Sequence, residues 1–256
     1  MQLSAPRKPE IIQTAKESFV AVADSFLPAL SAGGVPLVVA FAVMLAGVAS
    51  GNAVIAIATL AAFFVLIVPS FVAVMLVAQA RVIGVDIPTA PGALFREKQF
   101  WKCVAAAVGV WLVSASIVLV ALAPGFMSMA TGARDDAVAL TFAIGFIVGF
   151  PAAAYVGLRM NLLVPSLVAG QPFSVSGPWA LANGNVLGMF VSSLLCSIPV
   201  SIAQSLVESS SKGSEQAAVL VMGGILTMVL AMAQCMLTGA VSGIYYRELT
   251  GGQRPL

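Results

Sequence analysis

The chain has 256 residues, of which 60% are hydrophobic and 9% charged, and its net charge is +2. Soluble domains carry roughly 25% charged residues, so water is excluded as the solvent for most of this surface and a bilayer takes its place. With so small a net charge and no run of five basic residues, nucleic acid is excluded as a partner.

Stretches without any Asp, Glu, Lys or Arg cover 25–80, 103–133, 137–158, 160–207 and 216–246, whereas one spanning helix needs only about 20 apolar residues. At the start, Ile11, Ala15, Phe19, Val22 and Phe26 recur at helical spacing, with Glu10, Gln13, Lys16, Glu17 and Asp24 on the opposite side. The pattern predicts an amphipathic helix over 9–25 that lies in the membrane interface and leads straight into the first span; the alternative is an ordinary helix packed on a core. The apolar run after Asp24 begins too far into the chain, and runs too long, for a secretory signal, so it is read as a retained helix.

Ser50, Gly51 and Asn52 form a turn cluster between two apolar halves, which places spans over 27–49 and 53–79. Pro28, Pro36 and Pro69 fall inside them, as membrane helices tolerate where neighbours re-satisfy the freed carbonyls. Between Arg81 and Lys102 the chain is polar and turn-rich, a loop with a short interfacial segment. The third span is expected over 103–123, ending at Pro124 and Gly125, and the fourth over 137–159, following Asp135 and Asp136, whose charge suits the positive end of a helix. Gly, Pro, Ser and Asn between Met160 and Asn185 predict a helix end and a second interfacial element over 172–185, not another crossing. Spans over 186–207 and 216–246 complete a set of six, with a polar turn from Glu208 to Glu215. The expected fold is all-α: a single polytopic membrane domain with interfacial amphipathic helices on the cytoplasmic side.

If the N-terminus is cytoplasmic, ten of the twelve basic residues lie inside and only Arg134 and Lys212 outside, a strong positive-inside asymmetry that also puts the C-terminus in the cytoplasm. Trp101, Trp179, Tyr245 and Tyr246 fall near the same inner boundary, where amphipathic rings are favoured. Stripes at equal spacing, Ala15, Phe19, Val22, Phe26 and Val175, Trp179, Ala182, Val186, each run into a span, and 93–102 holds the equivalent place before the middle pair. Two readings fit: three parallel repeats of an interfacial helix plus a hairpin, or the ordinary look of hairpins entered from one side.

Chemistry is sparse. With no histidine in the chain, the commonest general base and transition-metal ligand are missing, and Asp135 and Asp136 adjoin in an outer loop while no span holds an acid. Cys103, Cys196 and Cys235 lack CxxC spacing and read as small buried hydrophobes, so neither a disulfide framework nor a metal site is expected. No cofactor is implied, and the chain is read as not an enzyme. The polar groups at membrane depth are Gln204 and Gln234, with Gln79, Arg159 and Asn161 nearer the inner boundary. Gln234 is read either as interhelical glue or as a substrate contact, and Arg159 as a ligand for lipid phosphate or as a snorkelling or loop-bonded cation. Gly145 and Gly149 form a GxxxG in the fourth span, suited to close helix contact.

Tyr155, Arg159 and Pro165, then Ser176, Trp179, Leu181, Gly184 and Asn185, resemble the membrane domain found with some bacterial glycerophosphodiester phosphodiesterases and in related uncharacterised six-helix proteins. The opening over 11–26 and the closing Tyr245, Tyr246 and Arg247 look similar too, so the resemblance spans most of the chain. It implies the bacterial inner membrane and six helices, and is nearly silent on activity. Two departures stand out: Ser176, Gly177 and Pro178 occupy the place before Trp179 where that family often has basic residues, and, with Leu256 ten residues past Tyr246, the soluble phosphodiesterase domain in which that family's hydrolysis resides is expected to be absent. The expected partners are membrane lipids, with a protein partner or a second copy of the chain. A channel or carrier built around Gln204, Gln234 and the kinked spans is the rival expectation.

Overall fold

A computed structural model describes residues 9–211 and 217–251. The basic residues Arg7, Lys8, Lys212 and Arg254, and Glu215 and Gln216 of the expected polar turn and sixth span, lie outside the described residues. The chain is an all-α polytopic protein with six helical stretches long and apolar enough to cross a membrane, and the described residues contain no strand. Its helices are α1 (Ile11–Ala29), α2 (Val35–Ala49), α3 (Ala53–Ile83), α4 (Lys98–Ala130), α5 (Asp135–Met160), the short α6 (Leu163–Val168) and α7 (Ser176–Leu181), α8 (Val186–Ser211) and α9 (Ala217–Leu249).

The first helix runs into the second without a break, through one π-helical stretch, Leu30–Gly34. Pro28 and Pro36 bracket that stretch, and the carbonyls that a proline leaves without a donor are a common cause of such local rewinding. Gly33 sits where the rod crosses α3: a Cβ there would come 2.6 Å from the Ser70 carbonyl oxygen. Along α1 the buried residues are Thr14, Ala15, Ser18, Ala21, Ser25 and Ala29, against α3, α8 and α9. Of the bulky stripe, Phe19 is exposed and Val22 and Phe26 are half-buried. Small side chains permit the close approach that helix packing in lipid favours, and the hydroxyls of Ser18 and Ser25 are satisfied by the carbonyls of Thr14 and Ala21.

The turn at residues 50–52 forms as its composition predicts. Gly51 takes a positive φ of 64°, and the side chain of Asn52 accepts hydrogen bonds from the N–H groups of Val54 (2.9 Å) and Ile55 (3.3 Å), capping α3. At its other end α3 stops on Gly84 in the left-handed conformation, φ 80°, a C-terminal stop that favours glycine. Helix α4 outruns the sequence expectation at both ends, beginning at Lys98 and continuing through Pro124 to Ala130. Proline does not terminate a helix whose flanks lie in lipid, where leaving the helix would expose unpaired backbone groups. Asp135 and Asp136 open α5.

Three helix pairs, α2 with α3, α4 with α5 and α8 with α9, pack as hairpins. Their cores gather at one end of the molecule, where α3, α5 and α9 finish and α4 and α8 begin. From residue 111 to 152, covering most of α4 and α5, the only buried positions are Gly125, Gly145 and Gly149, all within that hairpin's own seam. At the converging end α6 is a plug: Leu162, Leu163, Val164, Pro165, Ser166 and Leu167 are all buried, against α3, α4 and α9. The Gln99 amide donates to the Leu167 carbonyl at 2.6 Å, tying the plug to α4.

Candidate functional site

The residues singled out in the sequence, Gln204 apart, gather in two places. The first lies where α5, α7 and α8 meet. Arg159, in the last turn of α5, and Tyr155, one turn earlier, share a face by their four-residue spacing, and the guanidinium donates to the Tyr155 hydroxyl at 3.1 Å. The guanidinium carbon also lies 4.5 Å from the centre of the Trp179 ring of α7 and 5.4 Å from that of Tyr155, within the range of a cation–π interaction. The residues brought together are thus Tyr155, Arg159 and Trp179, separated by as many as 24 positions in sequence. Asn161 lies in the turn that follows, half-buried, and Pro165 is buried in the plug, in the first turn of α6 where a missing N–H costs nothing. Beside Tyr155 an open apolar groove of about 520 Å³ runs between α5 and α8, lined by Phe150, Ala154, Leu158, Leu187 and Phe190 among others.

The second place is a polar seam along α9. The Gln234 amide donates to the Ser197 hydroxyl of α8 at 2.7 Å. Two turns on, Gln79 of α3 donates to the Ser242 hydroxyl at 2.9 Å, and Ser242 donates to the carbonyl of Gly239 at 2.9 Å. Ser192 and the Tyr245 hydroxyl are 3.2 Å apart. Among the described residues Gln79 is the most enclosed amide, with none of its surface exposed, and Tyr245 is 1% exposed. The signal for them was present in Gly239 and Gly243, a GxxxG in α9 that lets Gln79 lie against the α9 backbone: a Cβ at Gly239 would come 2.7 Å from the Met75 carbonyl oxygen. The carbonyl oxygens of Gln79 and Gln234 are buried and accept no hydrogen bond from the described residues. Gln204 is half-buried further along α8 and stands apart from this seam.

A charged cleft of about 330 Å³ separates α1 from the ends of α3 and α9. Arg247 bridges it, 2.8 Å from Glu17 and 2.9 Å from Glu248, and also donates to the Val82 carbonyl at 3.4 Å. Arg81 and Asp24 face each other at 3.9 Å. Among the described residues no three His, Cys, Asp or Glu side chains come together as a metal site would require, and Cys103 and Cys196 are buried among apolar neighbours. No protein-family model, curated protein or solved structure matches this chain.

Proposed function

We propose that this is a non-enzymatic integral protein of the bacterial inner membrane, with both termini in the cytoplasm, that acts through contacts with lipids and protein partners as a scaffold or assembly factor. The observation that carries the proposal is how the enclosed polar groups between the helices are engaged. Gln234 with Ser197, Gln79 with Ser242 and Tyr245 with Ser192 each join one helix to another, the use that small polar side chains most often have in lipid. The aromatic and cationic groups at the α5–α7 corner are instead partly open to the surroundings, at the end of the bundle where basic residues collect. Charge supports the orientation: Arg81, Arg96, Lys98, Lys102, Arg159 and Arg247 fall at the converging end and Arg134 at the other, the asymmetry that positive-inside sorting expects of a cytoplasmic converging end.

Affinity purification in native lipid, with identification of companions, tests the proposal. A stoichiometric protein or lipid companion is expected; a chain that emerges alone and delipidated counts against it. The unpartnered carbonyl oxygens of Gln79 and Gln234 favour a second reading, a channel or carrier. Solute flux into proteoliposomes that disappears on Gln234→Leu would decide for that alternative.

A further inference from the structure

We infer that the α5–α8 groove and the Arg159 corner together form a binding site for one anionic glycerophospholipid, its acyl chain in the groove and its phosphate at the guanidinium. The site deepens the lipid-contact role just proposed and rests on it.

Charge is the first argument. Among the described basic residues, Arg81, Arg134 and Arg247 each have a carboxylate within 4 Å, and Lys16, Arg96, Lys98 and Lys102, which have none, are exposed. Arg159 differs from both groups: it is half-buried, yet no described carboxylate pairs with it. Placing a cation part-way out of solvent without a counter-ion is costly, and an anionic phosphate removes that cost. Of the five N–H donors of a guanidinium, one Nη–H is used on Tyr155 and the Nε–H is buried without a partner, which leaves the end-on pair of Nη groups as the fork that matches phosphate oxygens. The two aromatic rings against Arg159 hold it by cation–π contact without neutralising it.

Continuity between head and tail sites is the second argument. Tyr155 belongs to both, its ring lining the groove and its hydroxyl receiving the Arg159 N–H. The groove is open along its side and its walls are aliphatic or aromatic, including Leu187 at 75% exposure, so it accepts a hydrocarbon chain from the surrounding leaflet without a gate. Trp179 stands beside the cation, and amphipathic rings of this kind are favoured at the level of lipid glycerols.

The test uses the full chain with Trp101 and Trp111 replaced by Phe, so that Trp179 reports alone. It is reconstituted in phosphatidylcholine vesicles containing phosphatidylglycerol, with bromine on the acyl chains of one lipid or the other near the headgroup. Brominated phosphatidylglycerol is expected to occupy the site about fivefold more often than its share of the bilayer predicts, the factor that one basic residue provides at an anionic surface. Arg159→Gln should bring the two lipids to parity, Arg159→Lys should keep part of the preference, and Ala154→Phe, which fills the groove, should lower quenching by both. Equal quenching by the two lipids in the parent protein, a preference that survives Arg159→Gln, or quenching unchanged by Ala154→Phe would overturn the site. If Arg159→Gln fails to fold, Arg159→Lys and Ala154→Phe still decide. Loss of the site while a stoichiometric protein companion co-purifies leaves the scaffold role standing, so the two failures are distinguishable.

Discussion

Glycines and amides govern the seam between α3 and α9. A methyl group at Gly239 would come 2.7 Å from the backbone oxygen of Met75, whereas nothing lies within 4 Å of one at Gly224 in the same helix. Backbone cannot swing aside as a side chain can, so Gly239→Ala is expected to destabilise by about 1–3 kcal/mol through overpacking. Gly224→Ala should be neutral or stabilising by up to about 1 kcal/mol, because alanine favours the helix. Unfolding of the two variants in mixed detergent micelles gives the comparison, and equal effects would refute the close approach. A second asymmetry concerns the bond from Gln79 to Ser242. Ser242→Ala removes the acceptor and strands a fully buried amide, at a cost of about 1–3 kcal/mol. Gln79→Met removes both the donor and the unpartnered carbonyl oxygen, leaves Ser242 bonded to Gly239, and should cost less than about 1 kcal/mol. If the methionine variant proves the weaker of the two, the unpartnered oxygen has a donor within the folded protein.

Element by element, α1 is held partly by charge. Its Glu17 meets Arg247, and Arg247 also reaches Glu248 and the Val82 carbonyl, so one side chain of α9 joins α1 to α3. Glu17→Ala should cost about 0.2–1 kcal/mol, since both partners are partly solvated, and the loss should shrink at high salt. Arg247→Ala should cost more, because it leaves a second carboxylate and a carbonyl without their donor. Faster amide exchange confined to α1 is the expected signature in both variants; uniform acceleration across the bundle would mean that the pair is not local. The same helix shows what can be read from residues alone. The six spans and the turn at 50–52 are legible because lipid excludes charge and because Gly51 and Asn52 have few conformational alternatives. Which face of α1 turns inward is not, since in lipid the larger apolar side chains gain nothing by burial, and Ser18, Ala21 and Ser25 pack instead. The extension of α4 past Pro124 escapes for a related reason: the proline rule is calibrated on water. At the candidate site, Arg159 and Trp179 were legible singly, while the plug that brings α7 back against α5 depends on contacts among Leu162, Leu167, Gln99 and the end of α3 that no local pattern records.

For the molecule as a whole, the uneven distribution of the core has mechanical consequences. Buried apolar side chains from all three hairpins interlock where α3, α5 and α9 end, while the far half of the α4–α5 hairpin is closed by its own glycines and by ring contacts such as Phe126 on Phe142. Low contact density between elements means low resistance to their separation, so the converging end should behave as a rigid hub and the opposite tips as independent arms. Spin-label pairs measure this directly once Cys103, Cys196 and Cys235 are replaced by Ala. Labels at Lys98 and Ser176, on α4 and α7 at the hub, should give a narrow distance distribution. Labels at Ser50 and Arg134, on the tips of two hairpins, should give a broad one that narrows only when a partner binds between them. Equally narrow distributions would show that lipid or the partner-free fold already fixes the arms. A rigid hub would also steady the Arg159 corner: the site lies at the converging end, so lipid binding there need not order the arms, and the width at the tips should be unchanged by Arg159→Gln.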